Sequence, residues 1–334
     1  MIKKLVIENF KSVKQVELSC KKVNVFIGQP NVGKSNILEV IGFLSYIYFG
    51  NLSSFVRFDT GMDLFYDRNI ENKITISFDD SLVSISLDKN EGKIVGTYTQ
   101  YTSGATHQEE VIKLSLDGRE EERREPKEIF RNFKFYRFEK SVMRGSFSIE
   151  NPAFLLPPHG INLAAVLLSM QELRKVTNSI LDAFNLKLVI EVPEGKIRIE
   201  KQLEDIVISH PYHLLSETIQ KVIFFLTAIK SNRNSVLAFE EPEAHSFPYY
   251  VKYLAEVIAH EKNENQFFIS THNPYFLTSL IEKVPKENIA VFITYVDNWQ
   301  TKVKALSESE LEKILELGID VFFNIENILK KEVT

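Results

Sequence analysis

Apolar and β-branched residues gather into three short runs at the start of the chain, over residues 2–7, 13–18 and 23–27. Each run predicts a strand. The spacing then changes. Ile37, Val40, Ile41 and Leu44 fall on one face of a helix expected over residues 36–48. Between about 74 and 116 the period drops to two, in the runs KITISF, LVSISL, KIVGTYTQY and VIKLSL, and turn-forming residues separate them. This stretch predicts a β-rich insertion. The charged run DGREEERREPKE over 117–128 mixes both signs and reads as a solvated helix or loop.

Further along, FLLPPHG cannot be helical because of its two prolines. A helix broken once is expected over 162–184. A hairpin over 187–192 and 196–200 turns at Pro193, Glu194 and Gly195. Next come a helix over 216–229, a strand over 236–239, a helix over 248–260 and a strand over 266–270. Pro274 can open another short helix. Strands at 289–295 and 302–306 lead into helical segments at the tail. No heptad pattern is sustained, so no long coiled coil is expected. The two ends of the chain therefore read as α/β around a β-rich middle.

Composition changes this picture little. The 334 residues are 44% hydrophobic and 25% charged, as in soluble globular proteins, and the formal net charge of −5 argues against a strongly basic body. Cys20 is the one cysteine, which excludes an intrachain disulfide. The N-terminus lacks the apolar stretch of a secretory leader, and the strongest apolar run, 222–229, is too short to span a bilayer. A cytoplasmic protein without membrane partners is expected.

The chemistry lies in three segments. The first, GQPNVGKS, fits G-x-x-x-x-G-K-[ST] at Gly28, Gly33, Lys34 and Ser35. Its glycines let the backbone turn so that successive amides face phosphate oxygens. Lys34 supplies a compact charge for the β- and γ-phosphates of ATP, and the Ser35 hydroxyl can ligate Mg²⁺. An apolar strand feeds this loop and an amphipathic helix leaves it, which is the context a phosphate loop requires. The second segment, SVLAFEEPEAH, is an apolar strand ending in Glu240 and Glu241. At the C-terminal end of a buried strand, Glu240 could hold Mg²⁺ and Glu241 could orient and activate a water. The alternative is a solvated acidic turn. The third, QFFISTHNP, is another apolar strand ending in Ser270, Thr271 and His272, and it places a histidine where it could reach a γ-phosphate. A structural histidine is the alternative.

In this order the three segments resemble the ATP-binding-cassette class of ATPase heads. Within that class they are similar to the heads of chromosome-maintenance and recombination-repair ATPases, above all the bacterial OLD-type (overcoming lysogenisation defect) proteins. The opening IKKLVIENFKSVKQVEL looks like the family's N-terminal strand pair, HGINL like a segment opening a helix, and EEPEAH and STHNP like its acidic box and switch-histidine segment. The resemblance implies an α/β P-loop NTPase fold of ABC-ATPase type, with a β-rich N-terminal subdomain and a β-rich insertion. It implies one head over 1–334, with an ATPase core from 1–60 and 155–334 and an insertion with a charged linker over 61–154. It assigns Gly28, Asn31, Val32, Gly33, Lys34, Ser35 and Asn36 to the nucleotide, Ser35 and Glu240 to Mg²⁺, and Glu241, His272 and Lys34 to catalysis.

The family works as a head-to-head homodimer with ATP sandwiched between a phosphate loop and the partner's signature segment. Here that segment is LLSETIQ. Ser216 would be the cross-subunit contact, but Glu217 and Thr218 stand where glycine is expected. Ser216 as a simple helix cap is the rival reading. Glu240 stands in place of the usual aspartate, and Ser246 and Phe247 in place of a leucine and a second histidine. The short stretch after His272 shows no acidic metal box, so no nuclease is expected in this chain, and a separately encoded effector or nuclease is the expected partner. Two functions remain open. One is a hydrolysing ATPase, possible in slow form, that controls a partner or DNA in phage defence or DNA maintenance. The other is an ATP-gated scaffold with little hydrolysis. A transporter motor fits the imperfect signature and long insertion poorly, and DNA binding is expected to be weak and salt-sensitive.

Overall fold

A computed structural model describes residues 1–102, 105–125, 127–317 and 321–330. The strands of the first half are β1 (Lys4–Phe10), β2 (Val13–Ser19), β3 (Val23–Ile27), β4 (Ile74–Phe78), β5 (Ser81–Asp88), β6 (Lys93–Thr102), β7 (Ala105–Leu114), β8 (Glu120–Arg123) and β9 (Phe133–Tyr136). Those of the second half are β10 (Leu186–Glu191), β11 (Lys196–Leu203), β12 (Ile206–Pro211), β13 (Val236–Glu240), β14 (Gln266–Ser270), β15 (Ile289–Asp297) and β16 (Gln300–Ala305). The α-helices are α1 (Lys34–Phe49), α2 (Leu52–Phe55), α3 (Glu128–Arg131), α4 (Leu163–Ser169), α5 (Gln171–Asp182), α6 (Glu217–Ser231), α7 (Pro248–Ala259), α8 (Pro274–Lys283), α9 (Glu308–Leu317) and α10 (Val321–Lys330).

The chain divides into two compact units. The first comprises Met1–Phe135, Ser235–Glu241 and Gln266–Thr334, and the second Tyr136–Asn234 and Pro242–Asn265. The first unit holds a sheet in the order β16-β15-β3-β14-β13-β9, in which β13, β14, β3 and β15 run parallel. All five residues of β3 and of β14 are buried, as expected of strands covered on both faces. Helix α1 follows β3 and buries Ile37, Val40, Ile41 and Leu44, the face that its spacing predicts. It stops at Gly50, whose backbone at φ 78° suits the left-handed turn and whose N–H closes on the Tyr46 carbonyl.

The same unit holds a seven-stranded antiparallel sheet in the order β2-β1-β4-β5-β6-β7-β8. The alternating stretch after residue 61 continues the N-terminal strand pair, because β4 pairs with β1 through Leu5 opposite Phe78 and Ile7 opposite Ile76. One apolar core joins Leu5 and Ile7 to Ile76, Val83, Ile112 and the α1 face. The charged run differs from its expected solvated helix or loop, since Glu120–Arg123 forms edge strand β8 against β7. Cross-strand pairing outweighs local polarity here. Lys93 at the start of β6 meets Glu121 at 2.7 Å, and Arg124, just past β8, meets Glu110 of β7 at 3.7 Å, so opposite charges face each other across the sheet.

In the second unit, the broken helix appears as α4 and α5 with the break at Met170. The expected hairpin is β10 and β11, and an unexpected third strand, β12, completes a small antiparallel sheet. That strand escapes a sequence reading because Ile206 and Val207 face solvent rather than a core. Helix α6 packs on α4, α5 and α7. Among the described residues no helix is long and apolar enough to cross a membrane.

Candidate functional site

The phosphate-type loop joins β3 to α1 in the first unit, at the C-terminal ends of parallel strands. Two glycines shape it. Gly28 has φ 150°, and a β-carbon there would lie 2.2 Å from the Thr294 carbonyl oxygen. Gly33 has φ 96°, and a β-carbon would lie 2.1 Å from Thr301 Oγ1. Gly33 is also the N-cap of α1. It has no side chain to accept an amide hydrogen, so first-turn N–H groups are left for another acceptor. Gln29, Pro30 and Asn31 form the exposed crest, with Asn31 left-handed at φ 65°, while Val32 is buried.

A chain of hydrogen bonds braces this loop from behind. Asn36 Nδ2 donates to Ser12 Oγ at 2.6 Å, Ser12 Oγ lies 2.7 Å from Thr301 Oγ1, and Thr301 Oγ1 donates to the Val32 carbonyl at 3.0 Å. The Asn36 side chain therefore faces the brace. Lys34 is 5% exposed, and its Nζ donates to the carbonyls of Gly28 at 3.0 Å and Gln29 at 2.8 Å. Burial pulls its pKa down to about 8, against an upward pull from Glu241. Ser35, the next residue, is half-buried on the first turn of α1.

The other two segments arrive beside this loop because β14 lies between β3 and β13. In register, Ser270 stands opposite both Phe26 and Glu240, so the three strands end level. Glu240 is the last residue of β13. Glu241 turns off it with a left-handed backbone at φ 45°, fixed by its N–H donating to the Ser270 carbonyl at 3.1 Å. Its carboxylate Oε1 lies 3.4 Å from His272 Nε2. The histidine is held below the usual imidazole range, first by burial and then by the Lys34 charge, against an upward pull from Glu241. This favours the neutral ring, which donates at one nitrogen and accepts at the other. Lys34, Glu241 and His272, predicted from separate segments, are brought together.

A family model, "AAA domain, putative AbiEii toxin, Type IV TA system", matches residues 23–278, a span containing all three segments. The chain belongs to this AAA_21 family. Solved structures show the same fold. An Smc head bound to the C-winged helix domain of ScpA aligns with TM-score 0.58 and 15% identity, covering 94% of this chain and 99% of that one. The Smc head of Pyrococcus furiosus, with an extended coiled coil and bound to the C-terminal domain of ScpA, aligns with TM-score 0.56 and 16% identity, covering 95% and 98%. No curated protein matches the sequence. This AAA_21 chain has the P-loop fold of those Smc heads.

Two residues of this AAA_21 site were not singled out in the sequence. Glu39 of α1 is fully buried, forms an ion pair with Lys11 Nζ, and accepts from Arg57 Nε at 2.6 Å. The same Arg57 donates through Nη2 to Glu240 Oε1 at 3.1 Å. A charged residue on the core side of an amphipathic helix, between Leu38 and Val40, is the one signal in the sequence that pointed to this bridge. Among the described residues no group of three or more His, Cys, Asp or Glu is placed as a metal cage. The oxygen donors expected at the metal, the Ser35 hydroxyl and the Glu240 carboxylate that also pairs with Arg57, suit Mg²⁺, which is held by few protein groups together with substrate phosphates and water.

The remaining predicted residue, Ser216, lies in the second unit of this AAA_21 chain. It is the N-cap of α6, its Oγ accepting from the Ile219 N–H at 3.4 Å. Glu217 is paired with Lys221 at 3.2 Å and Lys140 at 3.3 Å. Burial raises its pKa, and the two lysines more than offset that, leaving it below the usual carboxylate range.

Proposed function

We propose that this chain binds ATP with Mg²⁺, hydrolyses it, and uses an ATP-dependent head-to-head dimer to control a partner protein or DNA. The observation that carries the reading is the convergence of Lys34, Glu241 and His272 at three level strand ends beside a helix whose cap has no side chain. Lys34 neutralises the phosphates, and the loop amides with the α1 N-terminus orient them. Ser35 and Glu240 would hold Mg²⁺, which would screen the phosphate charge. Glu241 accepts a proton from water as its oxygen bonds to the γ-phosphorus and the bond to the ADP oxygen breaks. His272 hydrogen-bonds the γ-phosphate and orients Glu241.

Within the ABC-type class we place the chain nearest the OLD-type ATPases, acting in the cytoplasm on a separately encoded effector. The toxin-antitoxin wording of the family description and the ScpA-bound Smc heads both support a regulatory setting with a protein partner, phage defence or DNA maintenance. The decisive experiment is Glu241→Gln. Phosphate release should fall by about 100-fold or more while ATP stays bound through gel filtration. Unchanged hydrolysis would sink the assignment.

A second reading, an ATP-gated scaffold with little turnover, is favoured by Ser216 and Glu217. The serine already caps its own helix, and the glutamate is locked to two lysines. Turnover above about 1 s⁻¹, the low end for ordinary enzymes, counts against it.

A further inference from the structure

We infer that the second unit carries a separate pocket for a small phosphate-bearing anion. A cavity of about 370 Å³ lies between the 143–146 turn, the start of β11 and the end of β12. That volume lies within the range of small-ligand sites. Its lining brings together Arg144, Lys196, Arg198 and His213, and no aspartate or glutamate is among the lining residues. This is a concentrated positive site on a chain of net charge −5.

The cavity is built rather than incidental. The Phe147 N–H donates to the Gly195 carbonyl at 2.7 Å, which clamps the β10–β11 turn onto the opposite wall. The Phe147 ring meets the Tyr212 ring edge-on at 6.2 Å. Arg198 is aimed by Ser209, donating through Nε to its hydroxyl at 2.7 Å and through Nη2 to its carbonyl at 3.0 Å. Glu191, outside the lining, lies 3.5 Å from Arg198 Nε and offsets one charge. Among the described residues Arg144 and Lys196 form no ion pair.

Tyr212, 2% exposed, forms part of the cavity wall. Guanidinium and ammonium groups are donors only. Such a set is satisfied by a compact oxyanion with several acceptor oxygens. Phosphate esters and pyrophosphate have that chemistry, and Arg forks match phosphate geometry. A nucleic-acid duplex would present its phosphates on a convex surface, reaching exposed Arg144 and Lys196 but not half-buried Arg198.

The test is calorimetric titration of the full chain with pyrophosphate. Lys34→Ala silences the phosphate loop and isolates the second site. In that background, pyrophosphate should still bind at one site. Combining Arg144→Glu with Lys196→Glu should weaken it about tenfold. The thermal midpoint should not change, because Arg144 and Lys196 are exposed. In the Lys34 wild-type background, ATP affinity should be unaltered by these changes. The proposal is overturned if Lys34→Ala abolishes all pyrophosphate binding, or if the double charge reversal leaves that binding unchanged. It is also overturned if the reversal removes duplex DNA binding alone, which would make this face a nucleic-acid surface.

Discussion

Two helix starts in this molecule begin alike and end differently. Helix α1 opens after Gly33, and α6 opens after Ser216. At α1 the cap has no side chain, the first turn carries no acid, and a buried lysine stands beside it. At α6 the cap serine accepts its own helix's amide, and Glu217 in the first turn offsets the helix dipole. One start leaves its positive end to be met by an anion, and the other meets it internally. A helix N-terminus is therefore a binding element only where the sequence withholds the groups that would satisfy it. The same contrast runs through the supports. Around α1, residues as distant as Ser12, Asn36 and Thr301 share one hydrogen-bonded chain, whereas Ser216 is tied three residues ahead.

The sharpest way to break the contrast is Glu39→Ala. It removes the buried carboxylate that Lys11 and Arg57 share, and unfolding free energy should fall by about 3 kcal/mol in a urea titration. Gly33→Ala comes next. The left-handed backbone and the contact with Thr301 Oγ1 should cost about 2 kcal/mol, read as a lower thermal midpoint with weaker ATP binding. The third test is pH. Lys34 titrates near 8 and must be charged to meet phosphate, so ATP affinity should be flat below pH 8 and fall above it. The limiting slope is about tenfold per unit, followed by nucleotide titration from pH 7 to 9.5. The smallest effect belongs to the closed start. Ser216→Ala should cost about 1 kcal/mol of stability and leave the ATP affinity of a single chain unchanged. If ATP-driven dimerisation measured by light scattering is also lost, Ser216 acts across an interface and the contrast narrows.

Much of this site was legible because its signals are local. Each of the three segments is an apolar strand running straight into its candidate residue, so the phosphate-loop motif marked Lys34, and the two strand ends taken together with it marked Glu240, Glu241 and His272. The capping alternative for Ser216 was legible for the same reason, since it needs only residues 216–219. What escaped depends on partners far along the chain. The pairing of Leu5 with Phe78, which merges the alternating middle stretch into the N-terminal sheet, leaves no mark in either strand alone. The charged run became a strand because β7 offered complementary charges. Arg57 reads as an ordinary surface residue until α1 brings Glu39, and β13 brings Glu240, within reach of one guanidinium.

The placement of β3 between β14 and β15, with Ser12 and Thr301 sharing a hydrogen bond at 2.7 Å, has a consequence for biosynthesis. On the ribosome the phosphate loop emerges early, yet both strands that flank β3 and the threonine that braces Val32 are translated more than two hundred residues later. At ordinary elongation rates that interval is on the order of tens of seconds. Through it the nascent chain carries the glycines and the lysine without the frame that shapes them. Nucleotide capture by a nascent chain should therefore begin abruptly, when residue 301 has cleared the exit tunnel.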